Sequence, residues 1–441
     1  MALGGVFMTD TDGNIGSEIS SLTERVCGLV FDISAQSDIW EQGAGVQLKD
    51  KLKDAVIELN SLQDAVALGI TPYTGEIDND GASVDFLYGI PYYHINHFFT
   101  LAGGSGRLFI MFADCTQNWD AIVDMQKAAN GNISQIGVWT EKSLWKKMDE
   151  TASLYSIALV GDLESVAENL ATNYHAPVSI LLCANSAKVE TSSGKQDTVV
   201  FGEIPSCQIG ARYVTALLGQ GLDVSVANMQ KALESKTPVG TVGAALGTLT
   251  QANVAESIGW VQQFNLVNYF PDIEFGFGDV TVESNKLKNP TRYSSLASTQ
   301  LDALEELGYV FLVRYPGYEG VYFSGDTTCS KDDYRTIARN RVINKSRRLI
   351  RIALLPYVNS PVKVDPVTGQ LPATQIAMFV TLISNILQAM KDNNEIAGFS
   401  TPTIPANQNI LKNDALQIHY ALVPMGTAQT INVTEGLTLT Q

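Results

Sequence analysis

The stretch GVYFSGDTTCSKDDYRTIARNRVINKSRRLIRIALLPYVNSPVKVDPVTGQL, Gly320 to Leu371, says most about the architecture of this 441-residue chain. Val321 to Ser324 reads as a strand. It is joined to an earlier one, Tyr309 to Arg314, through Pro316-Gly317-Tyr318-Glu319-Gly320, which is hairpin chemistry. Ser330 followed by Asp333 resembles a capping box, so a helix is expected from Lys331 to Leu349. Ile350 to Val358 (IRIALLPYV) reads as a strand, and Asp365-Pro366-Val367-Thr368-Gly369 as a turn. From Lys331 to Arg351, eight cations stand against Asp332 and Asp333, a net +6 inside a chain of −17, which leaves −23 elsewhere. At helical spacing Arg341, Lys345, Arg347, Arg348 and Arg351 share one side, with Val342, Ile343, Leu349 and Ile350 opposite. That places a basic face on a helix docked by its apolar side. A solvated face is the bland reading. An acidic protein partner is the sharper one, because guanidinium groups suit carboxylates.

Outward from this segment the chain reads as α/β. Towards the C-terminus, Ala373 to Lys391 is an amphipathic helix, and Leu416 to Val423 and Thr430 to Val433 read as strands. Towards the N-terminus, Val26 to Ile33, Arg107 to Ala113, Ser134 to Trp139 and Val178 to Cys183 are strand-like. Helices are expected at about Gln47 to Leu68, Trp119 to Ala129, Gly210 to Leu218, Val224 to Leu233 and Thr299 to Leu307. Thr237 to Thr250, rich in glycine and small residues, is read as a surface loop or a close-packed crossing. Strands alternating with helices favour βαβ units and a mainly parallel sheet.

The composition removes several function classes. An acidic chain with few charges (17% charged) is a poor nucleic-acid binder. No run approaches the roughly 18 apolar residues of a membrane span, and the start has no basic n-region, so no direct membrane insertion is expected. Five dispersed cysteines suggest buried thiols from a reducing cytoplasm. Catalytic, cofactor and metal residues are assigned to none. His94 and His97 lie at i, i+3 without acidic partners nearby, and packing is the better reading. Gly103-Gly104-Ser105-Gly106 precedes a strand instead of following one and lacks the phosphate-loop lysine. Asp10-Thr11-Asp12-Gly13-Asn14 begins like a calcium loop but has Ile15 at the central glycine position. The strand-like chain ends, with Leu3, Val6, Phe7 and Met8 at one and Thr430, Ile431 and Val433 at the other, would be unpaired edges in a monomer. They become useful by adding to a neighbour's sheet.

Gly320 to Leu371, the following Ile376 to Met390 helix, the terminal strands and the opening MALGGVFMTDTDG together resemble the tail-sheath proteins of contractile phage tails and related injection systems. The resemblance implies an inner α/β domain built from both chain ends (26–68 and 291–425). A large α/β domain is inserted at 69–290, and linking arms lie at 1–25 and 426–441. It also implies a helical homo-oligomer around an inner tube protein, with baseplate and terminator or cap partners. Arg341, Lys345, Arg347, Arg348 and Arg351 would be the tube contact. The expected function is a non-enzymatic subunit of a contractile sheath, made in the cytoplasm and built into a phage tail or injection particle. The alternatives are a soluble α/β hydrolase or transferase, or a static shell protein.

Overall fold

The computed structural model describes residues 24–34, 52–73, 86–104, 106–148, 155–190, 196–197, 204–232, 239–281, 286–405, 408–413, 415–429, 431, 433 and 435. Along the chain the elements are β1 (Val26–Asp32), β2 (Ile57–Leu59), α1 (Leu62–Ala67), α2 (Phe86–Leu101), β3 (Arg107–Ala113), α3 (Asp120–Ala128), β4 (Gln135–Lys147), β5 (Tyr155–Ser156), α4 (Ala158–Thr172), β6 (Ser179–Glu190) and β7 (Gln196–Asp197). They continue with β8 (Val214–Leu218), β9 (Gln220–Gly221), α5 (Val224–Ala232), α6 (Val242–Gln251), β10 (Ile273–Thr281), β11 (Lys286–Arg292), α7 (Ser298–Glu306), β12 (Val310–Tyr315) and β13 (Tyr318–Phe323). Last come α8 (Ile337–Leu354), α9 (Ala373–Asp392), β14 (Ile396–Phe399), α10 (Ile410–Asn413) and β15 (Leu422–Pro424).

Apart from β9, β10 and β11, which form a separate three-stranded sheet, one sheet organises most of the chain before α8. Its order is β13-β12-β8-β6-β4-β1-β3-β2. The strands from β12 to β3 pair in parallel, while β13 and β2 close the edges antiparallel. The inner strands are continuous apolar runs because both faces are covered. Alternate residues enter two separate cores: Val26 and Val30 of β1 join one, and Cys27, Leu29 and Phe31 join the other. The first core is covered by α3 and α4, the second by α2 and α6. This α/β/α layering is the expected fold class, but the sheet crosses two of the expected domain boundaries. β1 pairs with strands of the 69–290 segment, and β12 and β13 of the 291–425 segment complete the same sheet. The break in packing comes near residue 330 instead. Beyond it α8, α9, β14 and β15 gather around a small core of Val342, Ile350, Ile383, Leu387, Met390 and Ile396, with Val254 from the sheet domain.

Several local expectations give way to tertiary context. Gly210 to Leu218 is not a helix: its VTALL run is β8, held between β6 and β12. Among the described residues of the expected 47–68 helix, Ile57–Leu59 is an edge strand on β3 and Leu62–Ala67 is helical. The Gly-rich 237–250 segment is the close-packed crossing. Its helix α6 is buried along its length, and its glycines meet the backbone of α2. Helix α8 starts at Ile337, not Lys331, because its acceptors lie there. The Thr336 hydroxyl accepts from Arg339 N (3.3 Å), and the buried Asp326 carboxylate accepts from Ala338 N (3.1 Å). The helix then runs through the expected Ile350 to Val358 strand as far as Leu354, since the first breaker is Pro356. Of the two terminal strands, the described pairing is confined to β14 with β15 and a Thr403–His419 bridge.

Helix α9 also corrects the hydropathy reading. Its first eighteen residues carry no charge, and by length and composition alone it could cross a membrane. Here one stripe, Phe379, Ile383, Leu387 and Met390, is buried in the small domain's core or beside it.

The sheet domain also supplies a pH-dependent contact. Glu164 of α4 accepts from the backbone N–H groups of Arg212 (3.1 Å) and Tyr213 (2.8 Å) at the entry to β8. Burial outweighs these bonds and pushes its pKa up to about 7. The folded chain therefore binds this proton more tightly than the unfolded one. The stability penalty is absent below the unfolded value near 4.5 and fully present above about 7. Lowering the pH from 8 to 5.5 should raise the melting temperature of the native chain by roughly 2–4 °C relative to Glu164→Gln. Parallel melting curves at the two pH values check this; identical shifts in both proteins would contradict it.

Candidate functional site: the C-terminal assembly face

In a doubly wound sheet the usual ligand crevice lies at the strand carboxyl ends where the winding reverses. Here that point is β1, flanked by β3 and β4. Its carboxyl end carries Asp32, whose side chain is fully buried and already engaged. It accepts from Ser34 N (3.0 Å), Cys115 N (3.2 Å) and Thr140 Oγ1 (2.7 Å), with Lys142 Nζ at 3.8 Å. Lys142 in turn donates to the Cys115 carbonyl and lies 4.7 Å from the Trp119 ring centroid. The group best placed for chemistry thus ties the end of β1 to β4 and to the connection after β3. The histidines pack as expected. His94 is buried with Nε2 3.0 Å from Val239 O and Nδ1 accepting from Gly243 N (3.3 Å), and burial pulls its pKa down to about 3. His97 sits 4.2 Å from the Tyr93 ring, and burial lowers it to about 4. Among the described residues no His, Cys, Asp and Glu cluster could hold a metal ion.

The basic helix does not present the expected face. Arg341, Lys345 and Arg348 are buried inside the chain. Arg341 donates to the carbonyls of Ala252 (3.3 Å) and Asn253 (3.2 Å), just past the end of α6. Lys345 pairs with Glu395 at 2.5 Å, and Arg348 pairs with Glu24 and donates to Pro177 O at 3.0 Å. Arg341 and Arg348 bind the C-terminal domain to the sheet domain and to the segment before β1, while Lys345 ties α8 to the α9–β14 connection within the C-terminal domain. Arg341, Lys345 and Arg348 lie on a side that faces protein, whereas Arg347 and Arg351, expected beside them, turn away from it. Arg347 is half-buried and donates to Tyr213 Oη (3.1 Å), and Arg351 is exposed. Leu3, Val6, Phe7, Met8 and Thr430 lie outside the described residues, whereas Ile431 and Val433 are 79% and 84% exposed.

Sequence reasoning missed a different surface. Among the described residues eighteen large apolar side chains are exposed, and nine of them fall between Ile352 and Val433. That is about a fifth of the chain carrying half of the exposed apolar groups. Tyr357 and Val358 follow α8 and border an apolar groove of about 700 Å³ shared with Leu354, Phe379, Leu416 and Ile418. A second groove, about 680 Å³, runs between α8 and β15 and is lined by Arg339, Arg347, Tyr334 and Tyr420. Among the described residues β14 and β15 pair with each other and with no further strand, which leaves an outer edge on each. The signal available in sequence was the charge-free run of α9, which reads as an amphipathic helix with one apolar face.

The profile of the DUF2586 N-terminal domain matches residues 3–327, and that of its C-terminal domain matches residues 333–441. The chain belongs to the DUF2586 family. The two family domains meet where the packing breaks, between β13 and α8. No curated protein matches the sequence. Among solved structures, this DUF2586 chain is similar to a chain of the anti-feeding prophage baseplate, with 13% identity, all of both chains covered and a TM-score of 0.56. It is similar to a chain of the contracted helical sheath of the same prophage (12% identity, 99% and 100% covered, TM-score 0.54). It is also similar to one from the contracted sheath complex of PVC, an extracellular contractile injection system (11% identity, 100% and 98% covered, TM-score 0.53). The DUF2586 chain therefore has the fold of these contractile-particle proteins along its whole length.

Proposed function

We propose that this DUF2586 protein is the structural subunit of a contractile sheath. It polymerises into a helical assembly around an inner tube and drives that tube through a target envelope when the assembly shortens. The observation that carries this reading is the concentration of exposed apolar surface, open strand edges and grooves on the small C-terminal domain of a sheath fold. That domain buries few residues of its own, so contacts with other subunits would supply what its core lacks. The arms at Leu3, Val6, Phe7 and Met8 and at Thr430, Ile431 and Val433 would add strands to the free edges of β14 or β15 in neighbours. An acidic tube surface would meet Arg347 and Arg351, the two members of the basic set not buried within the subunit. Such a subunit works in a phage-tail-like particle beside tube, baseplate and cap proteins, and its work is mechanical.

Deleting Thr427 to Gln441 is expected to leave a folded monomer that forms no tubes. Size-exclusion chromatography and electron microscopy with the tube protein check this, and polymers indistinguishable from wild type would overturn the arm assignment. Two discrete assembly lengths in micrographs support contraction; a single fixed length favours a static shell.

A further inference from the structure

Away from the assembly face, a surface cavity of about 400 Å³ opens between α7 and the β12–β13 hairpin. Its walls include Tyr293, Phe311, Tyr315, Asp302 and Glu305. The aromatic wall is firmly set. The Tyr293 hydroxyl donates to Arg314 O (2.7 Å) and accepts from Arg314 N (3.0 Å), and the Tyr293 and Phe311 rings lie 6.5 Å and 5.6 Å from the buried Phe275 ring. Arg314 also lines the cavity, but its guanidinium donates to the Pro271 carbonyl. Tyr315 and, at the hairpin tip, Tyr318 stay 39% and 55% exposed.

The acidic side of the cavity lacks compensation. No ion pair among the described residues involves Asp302 or Glu305. Burial, then the neighbouring Asp302, raise the Glu305 carboxyl above the usual carboxylate range, and Glu305 together with burial raises the Tyr315 phenol. A half-buried carboxylate beside another carboxylate costs free energy, and a cation at that spot removes the cost. The same cation gains from lying on aromatic faces. We infer that this cavity takes the cationic head of a lysine or arginine side chain presented by another protein chain. An anionic guest would face two carboxylates. The exposed tyrosines supply the apolar collar that a protein-borne side chain would cover, and the chain's net charge of −17 favours a basic partner.

The test uses the full chain and N-acetyl-lysine N-methylamide as probe, with its uncharged norleucine counterpart as control, followed by NMR titration. The lysine probe should bind saturably in about the millimolar range and at least about fivefold more tightly than the control. Glu305→Gln removes the half-buried charge and should fold with unchanged or higher melting temperature, yet lose most of that preference. Tyr315→Leu, a change at a partly exposed ring, should weaken the lysine probe by about threefold or more. Equal binding of charged and neutral probes, no saturation, or a preference untouched by both variants would overturn the proposal.

Discussion

Arg348→Ala is expected to destabilise the subunit by about 3–5 kcal/mol, because it leaves the Glu24 carboxylate buried without its counter-charge. The two side chains are 8% and 7% exposed, and Arg348 also satisfies the Pro177 carbonyl. A surface ion pair would be worth about 1 kcal/mol or less. What raises the cost here is the loss of one partner in a place water does not reach. Arg351→Ala, one helical turn onward and exposed, should change stability by about 0.5 kcal/mol or less. Urea denaturation of the two purified variants measures the difference; equal midpoints would show that the Arg348 pair is not what joins the domains. The result also bears on assembly. Charge reversal at Arg341, Lys345 and Arg348 would destroy the subunit before it could report on a tube contact, so that contact is probed at Arg347 and Arg351.

The second large effect is expected at Gly243. A methyl group built there would fall 2.2 Å from the His94 carbonyl oxygen and 2.6 Å from the His94 Cα. These are backbone atoms of α2, so no side-chain rotation relieves the clash and the two helices must move apart. Gly247, one turn on, is held likewise at 2.8 Å from Phe98 O. Gly243→Val should cost about 3 kcal/mol or more, at the upper end of overpacking effects. Gly161→Ala in α4, where nothing lies within 4 Å of the added carbon, should be neutral or stabilising by up to about 1 kcal/mol. Thermal melts of both variants distinguish the cases, and a Gly243→Val protein as stable as wild type would mean that α2 and α6 do not cross this closely.

How far each element could be read depended on what stabilises it. β1 and β3 were legible because a strand covered on both faces is apolar at every position, and Gly308 marked the end of α7 because a left-handed C′ residue favours glycine. β8 was not, since a short run such as VTALL suits a buried helix as well as a strand until β6 and β12 are placed on either side. The limits of α8 were obscured for a similar reason. The acid that caps it, Asp326, lies outside the helix, and Ser330 offered a plausible but unused cap. At the candidate site, sequence located the cations but not which of them face outward. It could not say what that side faces, because Glu24 and Glu395 are brought to Arg348 and Lys345 from 324 and 50 residues away.

The sequence by itself determined an α/β chain with a parallel sheet and one concentration of positive charge beside an uncharged helix. Those follow from residue types and short-range periodicity, which the chain carries locally. Only the tertiary structure decided that Arg341, Lys345 and Arg348 of this cluster are buried inside the subunit and that the exposed apolar surface gathers on the small C-terminal domain. Burial and pairing are properties of residues distant in sequence and adjacent in space, and that adjacency is set by the winding of the central sheet.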